Sequence, residues 1–430
     1  MSGSSRAHRQ LVLIAFGWLV TRLAIVQDLG WLRHGTSYED VSVYRAWAIH
    51  MVHTHDLPTG SNWQYPVGAA LLFLLAELGP AHYDRTFCLL MLACDLGVTA
   101  VLAAISYRER HFHGAWAWLI ATTVFGPIIL LRFDLAPTLA LVAALALLWS
   151  GRRLQLFGAV IGIGLLVKLW PLLGLMAART WRELAGAALW CAATVVIVIG
   201  AASIYFGDTL GFISHQAARG LEVDSVAASP WFLRDALTRA PLPFRFSSGA
   251  TDLAGATANG VASALHITML AAAVVIAVWW VAQSRTGALR SPAVARDTVL
   301  AALLWYLVIS PVLSPQYFIW VMGLGALLLC SRESQMVRPL ALLAVTLLLT
   351  RALMQSGSQL YATTHTTGTL TPTAITCLGL AARNVVLLLA ALDATRITLG
   401  AQSSGRPSAR APQRGLISGS HERADLMTHN

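Results

Sequence analysis

The run LFGAVIGIGLLVKLWPLLGLMAA, residues 156–178, decides how this chain is threaded. It is long enough to cross a bilayer once, because about 20 apolar residues suffice. Its centre, however, holds Lys168 and Pro171. A proline inside a helix removes a backbone donor and breaks the run. A charge at mid-membrane is costly unless it meets an anion or water. Two readings follow. One long span carries a snorkelling lysine. Two short helices meeting at Lys168-Leu169-Trp170-Pro171 bring the lysine to a surface instead.

The run Val67–Leu78 bears on the choice. It is short, contains Glu77 and ends in Gly79-Pro80. As a full span it sends the basic loops Tyr107–Gly114 (YRERHFHG) and Gly151–Arg153 (GRR) outward, against the preference of arginine-rich loops for the cytoplasm. As an interfacial or re-entrant helix, a common fate of runs of about 10–14 residues, it leaves both loops inside. That second arrangement is favoured, and it requires residues 156–178 to split. Either arrangement gives about twelve spans.

Composition fits a membrane protein throughout. The chain is 57% hydrophobic and 12% charged, about half the charge of a soluble domain. Apolar runs recur at Val12–Val20, Leu89–Ala104, Leu184–Ala202, Val261–Ala282 and Val385–Leu392. The expected fold is an all-α polytopic bundle over residues 1–400. The net charge of +10 comes from arginines in short loops and the tail, so no nucleic-acid partner is expected. The five cysteines lie in or beside apolar runs without CxxC spacing, which argues against a disulfide framework or zinc site. The first span reads as uncleaved, with its N-terminus inside. Residues 401–430, rich in Ser, Gly, Arg and Pro, read as a disordered cytoplasmic tail.

In this topology four segments face outward: 28–84, 132–134, 207–260 and 355–373. Each holds candidate chemistry beside a bland reading. Glu39 and Asp40 adjoin in SYEDVSVYRAW. If Asp40 begins a helix, Tyr44, Trp47 and Met51 share its face, and a helix cap or an aromatic membrane anchor explains one acid but not two. Tyr65-Pro66 marks a turn into a short helix. Arg132-Phe133-Asp134 stands alone between apolar runs, as either a structural ion pair or a site. Lys168 is the sole lysine among 30 basic residues; at an outer surface it suits a phosphate. Arg219, Glu222 and Asp224 read by default as charges on a solvated loop. Ser310–Tyr317 (SPVLSPQY) has two Ser-Pro steps around an outer turn, as either a site element or a kinked helix end. His365 is a lone histidine in an uncharged loop.

Taken in order, these motifs resemble a known family. An acid-bearing first loop with D-x-x-V-Y precedes YP-x-G. R-F-D precedes a Pro-Thr-Leu step. An R-R loop precedes G-x-G-x-x-x-K-x-W-P, and S-P-Q-Y follows late. The pattern, over about Leu11 to Trp320, resembles the GT-C class of polyprenyl-phosphate-dependent membrane glycosyltransferases, and within it the mannosyltransferase-like family 87. YPVG stands where YPPG is commoner. The resemblance implies a dozen helices, an extracytoplasmic site and an inverting transfer, with mannose the family's commonest sugar. It further implies a polyprenyl phosphate sugar as donor substrate, a glycolipid or glycan acceptor, and no metal or other cofactor. Asp40 falls on the catalytic acid, with Glu39 beside it. Tyr44, Tyr65, Arg132, Asp134, Lys168, Arg219, Glu222, Gln316 and His365 are the accompanying substrate-binding candidates. A transporter or lipid flippase is the rival reading, although the inverted repeat common in transporters is not evident.

Overall fold

The computed structural model describes residues 3–30, 39–60, 63–151, 153–247, 249–356 and 367–403. The chain opens with α1 (Gly3–Asp28), α2 (Glu39–Thr54) and α3 (Gly68–Ala76). Then come α4 (Tyr83–Glu109), α5 (His113–Phe125), α6 (Ile128–Leu131), α7 (Leu135–Trp149) and α8 (Leu154–Val167). A 3-10 helix, Trp170–Ala177, leads to α9 (Trp181–Tyr205) and α10 (Phe212–Ala217). A small mixed region follows: β1 (Leu221–Glu222), α11 (Ser229–Thr238), β2 (Leu242–Ser247) and β3 (Ala250–Leu253). The chain continues through α12 (Ala256–Thr286), α13 (Pro292–Ile309), α14 (Phe318–Leu328), α15 (Val337–Ser356), β4 (Thr367–Leu370) and α16 (Ala374–Ser403). Among the described residues, seven helices, α1, α4, α9, α12, α13, α15 and α16, are long and apolar enough to cross a membrane. The fold is that of a polytopic, mostly helical membrane protein.

Residues 156–178 split at the expected place. α8 stops at Lys168, whose backbone is extended (φ −151°, ψ 149°). Pro171 then falls in the first turn of the 3-10 helix, where its missing N–H costs nothing. α8 is held against α9 by small residues. Gly158 abuts the backbone of Ala187, and a Cβ on Gly162 would lie 2.8 Å from the Cys191 carbonyl oxygen. Such Gly-x-x-x-Gly seams let helix backbones approach closely in membranes. Val67–Leu78 is likewise a short helix, the nine-residue α3.

The basic loops gather at one end of the bundle. His111 Nδ1 lies 3.0 Å from the Leu329 carbonyl. Arg296 stacks 3.4 Å over the Trp149 ring. Ser334 donates to Asp297 at 2.7 Å, and Trp280 donates to the Ala178 carbonyl at 3.1 Å. The candidate site segments meet at the opposite end.

There the helical class gains an addition that the sequence reading did not contain. Strands from the third and fourth candidate segments form one antiparallel sheet in the order β1-β3-β2-β4. Leu242 pairs with Leu370 and Phe244 with Leu253. The sheet and α11 enclose a second core of Leu221, Val223, Phe232, Phe244 and Leu380. Arg383 of α16 pins this unit with a 3.0 Å bond to Asp224, and Asn384 donates to the Ser225 carbonyl at 3.1 Å. The default reading of the Arg219–Trp231 segment as solvated is thereby corrected: Glu222 and Asp224 are both buried, because the sheet folds them inward. The tail from residue 404 lies outside the described residues.

Candidate active site

Lys168 ends α8 and Asp134 precedes α7, so the α7–α8 hairpin brings both to one level. Their side chains form an ion pair of 2.6 Å, both buried. Trp320 Nε1, in the first turn of α14, donates to the same Asp134 oxygen at 2.6 Å. The other carboxylate oxygen, Oδ2, is buried without a partner among the described residues. Around the ammonium stand the rings of Phe133 at 4.7 Å, Tyr317 at 5.0 Å and Trp320 at 5.1 Å. Ring faces attract a cation but do not use up its N–H donors. The snorkelling reading of Lys168 is therefore replaced by a buried, paired lysine with donor capacity left over.

Arg132 does not pair with Asp134 two residues away. Its backbone is extended (φ −123°, ψ 142°), whereas Asp134, the residue before α7, is already helical (φ −64°, ψ −20°), so the chain turns between them and the two side chains take different partners. Arg132 reaches Asp40 at 2.7 Å, and it also hydrogen-bonds with Tyr44. Asp40 is the second residue of α2, and Tyr44 and Met51 of the same helix are buried. Tyr44 stacks on Phe73 of α3 at 4.6 Å and meets Phe133 edge-on at 5.7 Å. Thus α2 and α3 pack on each other and carry Asp40 over the Arg132 turn. The Asp40 side chain is 41% exposed, open to a substrate.

The third group comes from the mixed region. Arg219 donates to the side chain of Gln64, while its Nε is buried without a partner among the described residues. His215 and Gln216 of α10 bind the backbone carbonyls of Trp63 and Gln64, at 2.8 and 2.6 Å. These contacts fasten the Trp63–Pro66 strap, and with it Tyr65, to the site. Burial pushes the Tyr65 hydroxyl above its usual pKa, opposed by Arg219 and Arg132 and reinforced by Asp134 and Asp40. One tyrosine thus senses all four charges, and it remains a neutral donor. Lys168 Nζ lies 5.8 Å from its ring. Glu222 accepts from the Leu313 amide at 2.6 Å and the Ser314 hydroxyl at 2.7 Å. It ties the sheet to the SPVLSP segment. Burial lifts its carboxyl to about 7, against the pull of Arg219. Gln316 is buried in the turn before α14, between Ser314 and Tyr317.

The structure therefore brings together Asp40, Tyr44, Tyr65, Arg132, Asp134, Lys168, Arg219 and Glu222. Glu39 opens α2, but its side chain, like all of His365, lies outside the described residues. Sequence reasoning missed Gln64 and the ring wall of Phe133, Tyr317 and Trp320. It also missed Asp252, buried beside Arg219 and bonded by Ser247 at 2.8 Å. Gln64 adjoins YP-x-G and Tyr317 ends S-P-Q-Y, so the amide and aromatic residues of those motifs were an available signal for these two.

The site is a cluster of three cations and at least three carboxylates at the end of a membrane bundle, walled by aromatic rings. Such a site suits a charged leaving group and a hydroxyl nucleophile. Comparison with known proteins is in keeping with this chemistry. No curated protein matches the chain. The profile of Glycosyltransferase family 87 matches residues 63–311, a stretch that runs from the Trp63 strap to the SPVLSP segment and exceeds half of the chain. The protein is a membrane glycosyltransferase belonging to family 87.

Proposed function

We propose that the protein moves a sugar, mannose being the first candidate, from a polyprenyl phosphate to a glycolipid or glycan acceptor with inversion. The reading is carried by one observation: Arg132, Lys168 and Arg219 surround Tyr65, with Asp40 held 2.7 Å from Arg132. In the reaction, the acceptor oxygen attacks the anomeric carbon while the bond to the phosphate oxygen breaks. The electron pair leaves with polyprenyl phosphate, and the acceptor proton passes to Asp40. Cations fixed before the reaction stabilise the departing phosphate without reorganising. A donor phosphate that draws on Arg132 loosens its hold on Asp40, so that donor binding frees the base. Phosphate charge is met by side chains, and no metal or other cofactor is called for.

The proposed topology has about twelve crossings, obtained by adding the shorter helices to the seven long ones. α2 and α3 lie as an interfacial pair, and the site faces the extracytoplasmic side of the plasma membrane. Three exterior segments and the tight Arg132–Asp134 turn then border one membrane domain. Two exposed positions test the orientation. Thr238→Cys reacts with an impermeant thiol reagent in intact cells, and Arg110→Cys reacts only after permeabilisation. The opposite labelling overturns the assignment of faces.

The activity test supplies membranes with polyprenyl phosphates carrying labelled mannose, glucose or arabinofuranose. Consumption of the mannosyl donor by the parent chain, and not by an Asp40→Asn variant, supports the reading. Consumption of another sugar corrects the sugar alone. Binding of a donor with no transfer to any membrane acceptor favours the flippase.

A further inference from the structure

A second feature lies on the lipid-facing side of the bundle. Between α5, α14 and α15 runs an apolar groove of about 310 Å³. Its walls include Ile120, Val124, Phe318, Met322, Ala344 and Leu348. Ile120 and Leu348 are 62% and 56% exposed, so the groove opens sideways to the hydrocarbon. Its end nearest the site is marked by a charge. Arg351 follows Ala344 and Leu348 at helical spacings of seven and three, which puts it on the same face of α15. On the facing wall, Gly126 comes two residues after Val124 and has φ +79°. A Cβ there would lie 3.2 Å from the Arg351 guanidinium carbon. Both walls therefore converge on this guanidinium. Among the described residues, Arg351 has no ion pair and no hydrogen bond.

We infer that the groove binds one membrane phospholipid, an acyl chain lying along α14 and its phosphate held by Arg351. The charge complementarity decides the ligand. An arginine at the headgroup end of a hydrocarbon-lined groove lacks an anion, and its fork matches phosphate oxygens. The occupant is distinct from the sugar donor. Tyr317 faces Lys168, whereas the next residue, Phe318, lines the groove, so the start of α14 divides the two. Gly126 leads through α6 directly to Arg132. A bound lipid thus braces the segment that presents an active-site cation.

The full-length chain, purified in detergent, is titrated with phosphatidylglycerol and with diacylglycerol of the same chains, and binding is counted by native mass spectrometry. Phosphatidylglycerol should bind one site at least tenfold more tightly than diacylglycerol. Arg351→Gln should abolish that advantage and leave diacylglycerol binding unchanged. Ala344→Trp fills the groove from its exposed side and should weaken both lipids at least fivefold. Thermal unfolding of each variant without lipid confirms that it is folded, and a variant that is not is replaced by Arg351→Met or Leu348→Trp. An advantage that persists in the arginine variant, or binding indifferent to the filled groove, overturns the inference. So does displacement of phosphatidylglycerol from the parent chain by unglycosylated polyprenyl phosphate, which would assign the groove to the donor.

Discussion

Two buried cation–carboxylate pairs lie in the same bundle and differ in what surrounds them. Asp95 of α4 accepts from Arg22 at 2.8 and 2.7 Å, from Trp18 at 2.5 Å and from Trp118 at 3.0 Å. Arg22 also donates to Thr122 at 2.7 Å. Both carboxylate oxygens are used. Asp134 receives Lys168 and Trp320 on one oxygen and nothing on the other. Lys168 makes no further hydrogen bond among the described residues, and its remaining directions face rings. A charge in a membrane bundle is thus not diagnostic by itself. The saturated pair locks α1, α4 and α5 together, whereas the unsaturated pair keeps valence for a ligand. Arg383 and Asp224 belong with the first kind, since Arg383 bonds both the Asp224 side chain and Asn384.

The largest effect should come from opening the saturated pair. Asp95→Ala leaves Arg22 buried without its anion and should cost about 3–5 kcal/mol, read as a loss of folded protein in detergent. The double change Arg22→Met with Asp95→Leu removes both charges and should recover most of that stability. Lys168→Met with Asp134→Leu should also leave a folded bundle, but one without transferase activity. If the first double variant is inactive while folded, or the second is active, the distinction between locking and working pairs fails.

Next in size is Asp40→Asn. Asp40 is the second residue of α2 with a side chain 41% exposed, and Asn keeps its size and a hydrogen-bond acceptor, so folding should persist while transfer falls by roughly 10²-fold or more. Glu39→Gln should retain most activity, and the reverse pattern moves the base to Glu39. Lys168→Met alone should follow, with a tenfold or greater fall in kcat/KM, about 1.4 kcal/mol. Unaltered kinetics would show that the pair's spare valence goes unused.

Much of this contrast was legible in the chain, and its limits are instructive. Lys168 announced itself, because a lone lysine beside a proline inside an apolar run has few structural excuses. The turn Arg132–Asp134 was visible too, but not its pairing, since the chain passes from extended backbone at Arg132 to helical backbone at Asp134 and the two charges reach Asp40 of α2 and Lys168 at the end of α8. Arg22 and Asp95 carried no signal of each other. They lie 73 residues apart, and only the packing of α1 on α4 joins them. The sheet was hidden because its strands have 2–6 residues, and β4 arrives only after four more helices. Short strands without sustained alternation give little period-2 signal.

The smallest expected effect tests the comparison with a buried acid that has no ion pair among the described residues. Glu222 is held by the Leu313 amide and the Ser314 hydroxyl, and burial raises its carboxyl from 4.5 to about 7. Between those values the unfolded chain has released the proton and the folded chain retains it. The folded state then binds more protons, so stability falls as pH rises. The contribution is complete below about 4.5 and is lost through about 7. Between pH 6 and 7 the slope amounts to roughly 1 kcal/mol, seen as a lower unfolding midpoint at the higher pH. Glu222→Gln cannot ionise, yet its amide oxygen still accepts a hydrogen bond, so the midpoint should flatten over the same interval. A parent chain already flat between pH 6 and 8 would mean that Arg219 keeps Glu222 ionised, and Glu222 would then join Asp134 as a carboxylate held by the site's own cations.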